Sequence, residues 1–537
     1  MLPSTLHLLT NLCRLEFKET KVRKIPPHLG KLKNLKVVMN YFNVGLSREF
    51  SLQRLGEINL DGSLSIQELQ NVENSLDALE ADLKNKIHLV TLELLWEGNR
   101  NSIDSKKEED VIVNLQPSKN LKELSIFGYG GKQFPKWLLE NSLWNMTSLV
   151  LDECESCQRL PPLGLLPFLK VLEITKLDGI VNIDADFHGN NSCSFKSIER
   201  LKFSNMSQWE KWDCQAVTGA FPRLQELSIT NCPKLKGQLP EQLDPLKTLQ
   251  IEHCEQLEAS TPRALYLNLF SCGKLQLEWA TVKRLAMGGH NMEASLQEMV
   301  GSDILEHLMI NSPLESINDD CVSLWTFPLD IFPTLNTLLL IGFPTLQMIS
   351  QGLIHNHLKH LEIIRCHKLE SLPANMPMVL PSLRFLSIEE CPRLESFPEG
   401  GLPSNLEVLE INNCSRLIGS LKGAFGDNPS LKRLCIEKLD AKCFPDEGLL
   451  PLSLTSLTIS CGGNLEKLNY IGLYQLSSLK MLGLKNCPNL QGVPEEGLPK
   501  SVSSLQIVQC PLVKQRCQKE GGEDWKKIAH IQELYIS

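Results

Sequence analysis

The sequence predicts an α/β solenoid, in which one short strand per repeated unit joins a parallel sheet and irregular or short helical segments return on the other side. Three observations predict it. Leucine supplies 97 of the 537 residues, while aromatic residues are only 6%, so leucine is used as a repeated part. The pattern Leu-x-x-Leu-x-Ile-x-x-Cys recurs, as at Leu224, Leu227, Ile229, Cys232 and again at Leu358, Leu361, Ile363, Cys366. Unit starts at 335, 358, 383, 406, 431, 454, 479 and 502 then fall at steps that alternate strictly between 23 and 25 residues. Such a period defines a leucine-rich repeat horseshoe of about 21 repeats with a concave parallel sheet.

Each element of the unit has a physical reason. With the first Leu as position one, the Leu-x-Ile segment at positions four to six is a strand whose alternate side chains point inward. The ninth position, Cys in the best copies, lies at the turn leaving the strand and packs as a small apolar group with a weak donor. A following Pro, as in Cys391-Pro392 and Cys487-Pro488, stops the ladder. Repeats are irregular over 1–334 and regular over 335–510, giving a solenoid over 1–510 and a C-terminal cap over 511–537.

Two segments break the period. Residues 74–86 are expected to place Leu76, Leu79 and Leu83 on one helical face. Residues 105–115 are expected to form a helix opened by a capping box of Ser105 and Glu108, with a polar, mobile loop from Glu97 to Lys107 before it. Repeats around Tyr266 to Gly289 are compressed, and their local fold is left open.

Composition excludes several functions. Lys plus Arg is 54 against 63 Asp plus Glu, a formal charge of -9, so no phosphate-tracking basic surface is expected and nucleic acid is not a partner. There is no run of eighteen apolar residues and no bounded signal sequence, so neither a membrane span nor secretion is expected. The 18 cysteines recur at one repeat register instead of forming a dense framework, and they are read as reduced thiols in a cytosolic protein. On that reading the sequons at Asn145, Asn190, Asn205 and Asn413 are chance matches.

No phosphate loop, zinc-protease motif or nucleophile elbow is present, so no enzyme and no cofactor are expected. Cys154 and Cys157 form a lone Cys-x-x-Cys pair that packing explains better than zinc. His355, His357 and His360 cluster locally, yet His360 sits at an exposed strand position and the others in the preceding turn.

The outward positions three, five, seven and eight are the candidate partner-binding face. They carry His360, Glu362, Ile364 and Arg365 on one strand, then Phe385 and Glu389, Val408, Glu410 and Asn412, Arg433 and Glu437, and further on Met481 and Lys485. Glu362, Glu389, Glu410 and Glu437 trace an acidic zigzag over four consecutive repeats. It is either a solvated surface partly offset by Arg365, Arg433 and Lys438, or a docking face for a basic protein partner.

Longer blocks carry a resemblance. Leu60 to Val72, Phe134-Pro135-Lys136-Trp137-Leu138, Cys154 to Cys157 with Leu160-Pro-Pro-Leu-Gly164, Phe187-His-Gly189, Met206-Ser-Gln-Trp209-Glu-Lys-Trp212 and Gly522-Glu-Asp-Trp525 together span nearly the whole chain. The chain resembles the leucine-rich repeat domain of plant intracellular immune receptors, the disease-resistance proteins with coiled-coil, nucleotide-binding and leucine-rich repeat regions. Ser118 and Asp184 to Asp186 depart from that pattern. The resemblance implies recognition of a pathogen effector or a guarded host protein, and autoinhibition of a nucleotide-binding region in cis or trans. A repeat-only decoy or a substrate-recruiting adaptor for ubiquitin transfer is the alternative. The phosphate loop and switch motifs of the family are absent, and Met1 to Lys24 resembles an interior repeat, so a truncated gene product, a fragment or a partial gene model is expected.

Overall fold

The structure is a computed structural model that describes residues 3–17, 28–45, 50–97, 103–139, 143–189, 194–213, 219–240, 243–289, 303–312, 324–425 and 430–537. They fall into two compact units, Met1–Thr281 and Val282–Ser537. The sequence reading drew no such division.

In the first unit the strands Asn59–Gln67, His88–Leu95, Glu123–Phe127, Ser148–Asp152, Val171–Thr175, Arg200–Ser204, Glu226–Thr230, Thr248–Cys254 and Tyr266–Cys272 pair in parallel, each with the next. Short strands at Arg14–Glu16 and Lys36–Val38 extend the start. The second unit repeats the arrangement from Arg284–Gly288 to Glu533–Ile536. Register follows the repeat: Leu361 pairs with Leu386, Leu386 with Leu409 and Leu409 with Leu434. These four leucines are fully buried. Burying each stabilises the fold by roughly 2–3 kcal/mol relative to leaving it exposed, so a one-residue slip that turned the row outward would forfeit the core. The returns add narrow two-stranded ladders, such as Asn182–Ile183 with Lys211–Trp212 and Cys443–Phe444 with Lys467–Leu468.

Each unit is therefore a leucine-rich repeat solenoid, but two local expectations need correction. In 74–86 only Ser75–Glu80 is α-helical, capped by Asn74, and Leu76 and Leu79 are each 56% exposed while Ala78 and Leu83 are buried. A 3-10 turn over Leu83–Asn85 rotates Leu83 off the face that a continuous helix would have given it. The helix Ser105–Asn114 is capped by Asp104, whose carboxylate accepts from the Lys107 N–H at 3.1 Å, so Ser105 is not the cap. Glu108 instead accepts from the Gly130 N–H of the next repeat at 2.7 Å. Of the loop expected over 97–107, residues 98–102 lie outside the described residues.

The compressed stretch near Tyr266 is ordered up to the unit boundary. Its strand carries Cys272 in register with Cys254, and Leu275–Gln276 pairs with Ala259–Ser260. At the other end, Pro511–Arg516 and Trp525–Ile528 are helical, and Glu533–Ile536 adds a further parallel strand beside Ser504–Val508.

Candidate interaction face

Position eight decides how each strand is left. Arg365, Glu390, Asn413, Lys438, Cys461, Asn486 and Gln509 all have φ between 49° and 56°, the left-handed region, as do Glu153, Lys176, Asn205, Asn231, His253 and Ser271 in the first unit. This reverses the chain in one residue and sets position nine under the sheet. Sequence reasoning placed these residues outward but missed the conformation, although Asn205, Asn231, Asn413, Asn486, Gly128 and Gly342 at this position carried the signal.

Position nine then supplies hydrogen bonds between repeats. The Cys414 Sγ accepts from the Cys391 N–H at 3.3 Å and lies 3.8 Å from the Ile388 carbonyl, and Cys510 does the same for Cys487 and Leu484. Burial pushes the Cys154 thiol up to about 12 and the Cys366 thiol up to about 11, so both stay protonated donors. Cys157 donates to the Gly131 carbonyl at 3.2 Å.

The open face of the second unit follows from the same register. Row three runs His360, Phe385, Val408, Arg433; row five runs Glu362, Ser387, Glu410, Cys435; row seven runs Ile364, Glu389, Asn412, Glu437. The acidic zigzag is therefore real in space: its carboxylates alternate between rows five and seven on four neighbouring strands. Glu362 and Glu410 stand two strand spacings apart, about 10 Å. Burial, and then the like charge of Glu362, push the Glu410 carboxyl above its ordinary range, with Arg433 partly offsetting them.

The expected offsetting cations are mostly elsewhere. Arg365 Nε bonds Glu390 Oε2 at 3.1 Å, and Lys438 Nζ reaches Glu390 Oε1 at 4.0 Å, so both serve position eight. Among the described residues none of the four zigzag carboxylates has an ion pair within 4.0 Å. Around them Ile364, Phe385, Val408 and Asn412 are half-buried, and the His360 ring stacks on Phe385 at 5.6 Å between centroids. Met481 and Lys485 lie farther along rows three and seven, separated from Arg433 and Glu437 by Ser456 and Ser460.

The histidines do not converge. His355 is buried, its Nε2 is 2.8 Å from the Phe332 carbonyl, and its Nδ1 accepts from the Leu358 N–H, so it braces a turn while His360 faces outward. Among the described residues no His, Cys, Asp and Glu group suited to a metal ion occurs. No helix among them is long and apolar enough to cross a membrane.

Residues 52–177 match the family model described as R13L1/DRL21 LRRs. The chain is similar to disease resistance RPP13-like protein 1 of Arabidopsis thaliana, 30% identical over 353 residues, which are 62% of this chain and 30% of that protein. A second Arabidopsis thaliana disease-resistance protein is 37% identical over 230 residues, 40% of this chain and 16% of its own length. Disease resistance protein RGA2 of Solanum bulbocastanum is 31% identical over 267 residues, 48% of this chain and 26% of its own. The chain thus matches less than a third of the length of each of these relatives.

Proposed function

We propose that this chain is a leucine-rich repeat interaction module of the plant disease-resistance kind, a reading supported by its similarity to those proteins, and that the open face of its second unit recognises a protein partner through the acidic zigzag. In the resting receptor that partner is the nucleotide-binding region, in cis or trans, and on challenge it is a pathogen effector or a guarded host protein. The chain works in the cytoplasm and performs no catalysis. Competition between the two partners for one face shifts the receptor from its resting to its active state.

The observation that carries this reading is the set of four carboxylates without an ion pair among the described residues, Glu362, Glu389, Glu410 and Glu437, beside half-buried Ile364, Phe385 and Val408. Apolar neighbours lower the local dielectric, so an incoming cation gains more there than in water. The partner is accordingly basic with an apolar centre.

The test compares the wild-type chain with a variant carrying Glu→Gln at all four positions. Proteins retained from leaf extract at low and high salt are identified for each. A retained set of basic proteins that is salt-sensitive and lost in the variant, at an unchanged melting temperature, supports the reading. An identical set from both chains overturns it.

A further inference from the structure

Three of the sequence blocks that the open face does not use meet in one place. The return segments around 132–134, 158–165 and 186–189, from successive repeats of the first unit, line a groove of about 770 Å³. Its volume is in the range of ligand sites, roughly 300–1,000 Å³. Phe134, Leu160, Pro161 and Leu165 give it an apolar floor. The Gln158 N–H donates to the Lys132 carbonyl at 3.1 Å, which fixes two of the three segments to each other.

The rim is polar and carries two cations. Lys132, Gln133, Gln158 and Arg159 are all exposed there, and among the described residues none of their side chains has a hydrogen bond or ion pair. Lys170, Lys176 and Arg200 in the same unit are instead engaged, with Glu199, Glu153 and Glu226. Among the described lining residues Asp186 carries the one carboxylate. In a chain of formal charge -9, two uncommitted cations stand above this apolar floor, while the Glu109 carboxylate is held on the Lys132 N–H at 3.0 Å.

We propose that this groove docks an extended acidic segment of a protein partner. An apolar side chain of the segment lies on Phe134 and Leu165, and flanking carboxylates meet Lys132 and Arg159. Gln133 and Gln158 each offer an amide donor and acceptor that pair with the backbone of an extended chain. This surface has the opposite charge preference to the acidic zigzag and does not rest on it.

The experiment uses the full chain and a fluorescein-labelled, N-acetylated hexapeptide library in which each position is scanned in turn, read by fluorescence anisotropy. Enrichment of Asp and Glu beside Leu, Ile or Phe is expected. The double variant Lys132→Glu with Arg159→Glu should weaken the selected peptides by about tenfold or more, as loss of two charge-assisted contacts implies. Substituting the four zigzag glutamates by Gln should leave peptide affinity unchanged, which separates this surface from the open face. A library with no acidic preference, equal affinity in the double variant, or displacement by inorganic phosphate with no dependence on the apolar residue would overturn the proposal.

Discussion

The backbone N–H of Cys391 donates to the Sγ of Cys414, one repeat later, at 3.3 Å, and both residues are almost wholly buried. The thiol thus satisfies a donor that no water reaches, and it does so by repetition along the sheet. Replacing Cys414 by Ala leaves that N–H unpaired and opens a void, and should cost about 1–3 kcal/mol. Cys414→Asn restores an acceptor and should lose less. Urea unfolding of the full chain, followed by hydrogen exchange in the second unit, checks the order of the three proteins; equal stability of the Ala and Asn variants would contradict it.

His253 has φ 52° with an exposed side chain that makes no bond among the described residues, so it holds a left-handed turn without return. His253→Gly removes the steric cost of the Cβ while adding freedom to the unfolded chain, for a net gain of about 0.5–1 kcal/mol. His253→Val, β-branched, should instead destabilise. Thermal unfolding of the two variants should move in opposite directions.

His188 is fully buried among Phe187, Phe195 and Phe221, and neither ring nitrogen has a partner among the described residues. Burial lowers its pKa to about 4, while Asp213 and Asp184 pull the other way. The folded value lies below the unfolded one, so the imidazole's contribution is complete above about 6.5 and is lost as pH falls from there towards 4. The loss approaches about 3 kcal/mol. His188→Leu should flatten stability between pH 6.5 and 4; a retained slope in the variant would assign that dependence to other groups.

Asp524 is fully buried and bridges Arg516, at 2.8 and 3.2 Å, and Lys527, at 2.8 Å. Burial raises its pKa, but the hydrogen bonds from Arg516 and Lys527 outweigh that and hold it below the ordinary carboxylate range. Its contribution is therefore present above that range and lost only as pH falls through the folded value. Asp524→Asn should cost about 2–3 kcal/mol, less than breaking a fully buried pair because the Arg516 side chain stays 41% exposed. Denaturant unfolding at neutral pH reads the cost, and the difference from wild type should vanish in strong acid.

The sequence by itself determined the parts that repetition enforces. The leucine period sets which side chains are buried, because only one register puts Leu361, Leu386 and Leu409 under the sheet together. The same spacing put Glu362, Glu389, Glu410 and Glu437 on the open face and Cys at the ninth position, since a strand alternates its side chains and every unit inherits its neighbour's register. Tertiary structure decided what depends on contacts between units of unequal length. It paired Arg365 and Lys438 with Glu390 and left the zigzag without an ion pair among the described residues, because long side chains choose partners by where the left-handed turn aims them. It gave the cap near 105 to Asp104 and sent Glu108 to Gly130, because a neighbouring repeat offered a buried donor that the linear pattern does not contain. It also assembled Lys132, Phe134, Arg159 and Leu165 into one groove, a juxtaposition across repeats that only the stacking of their return segments creates.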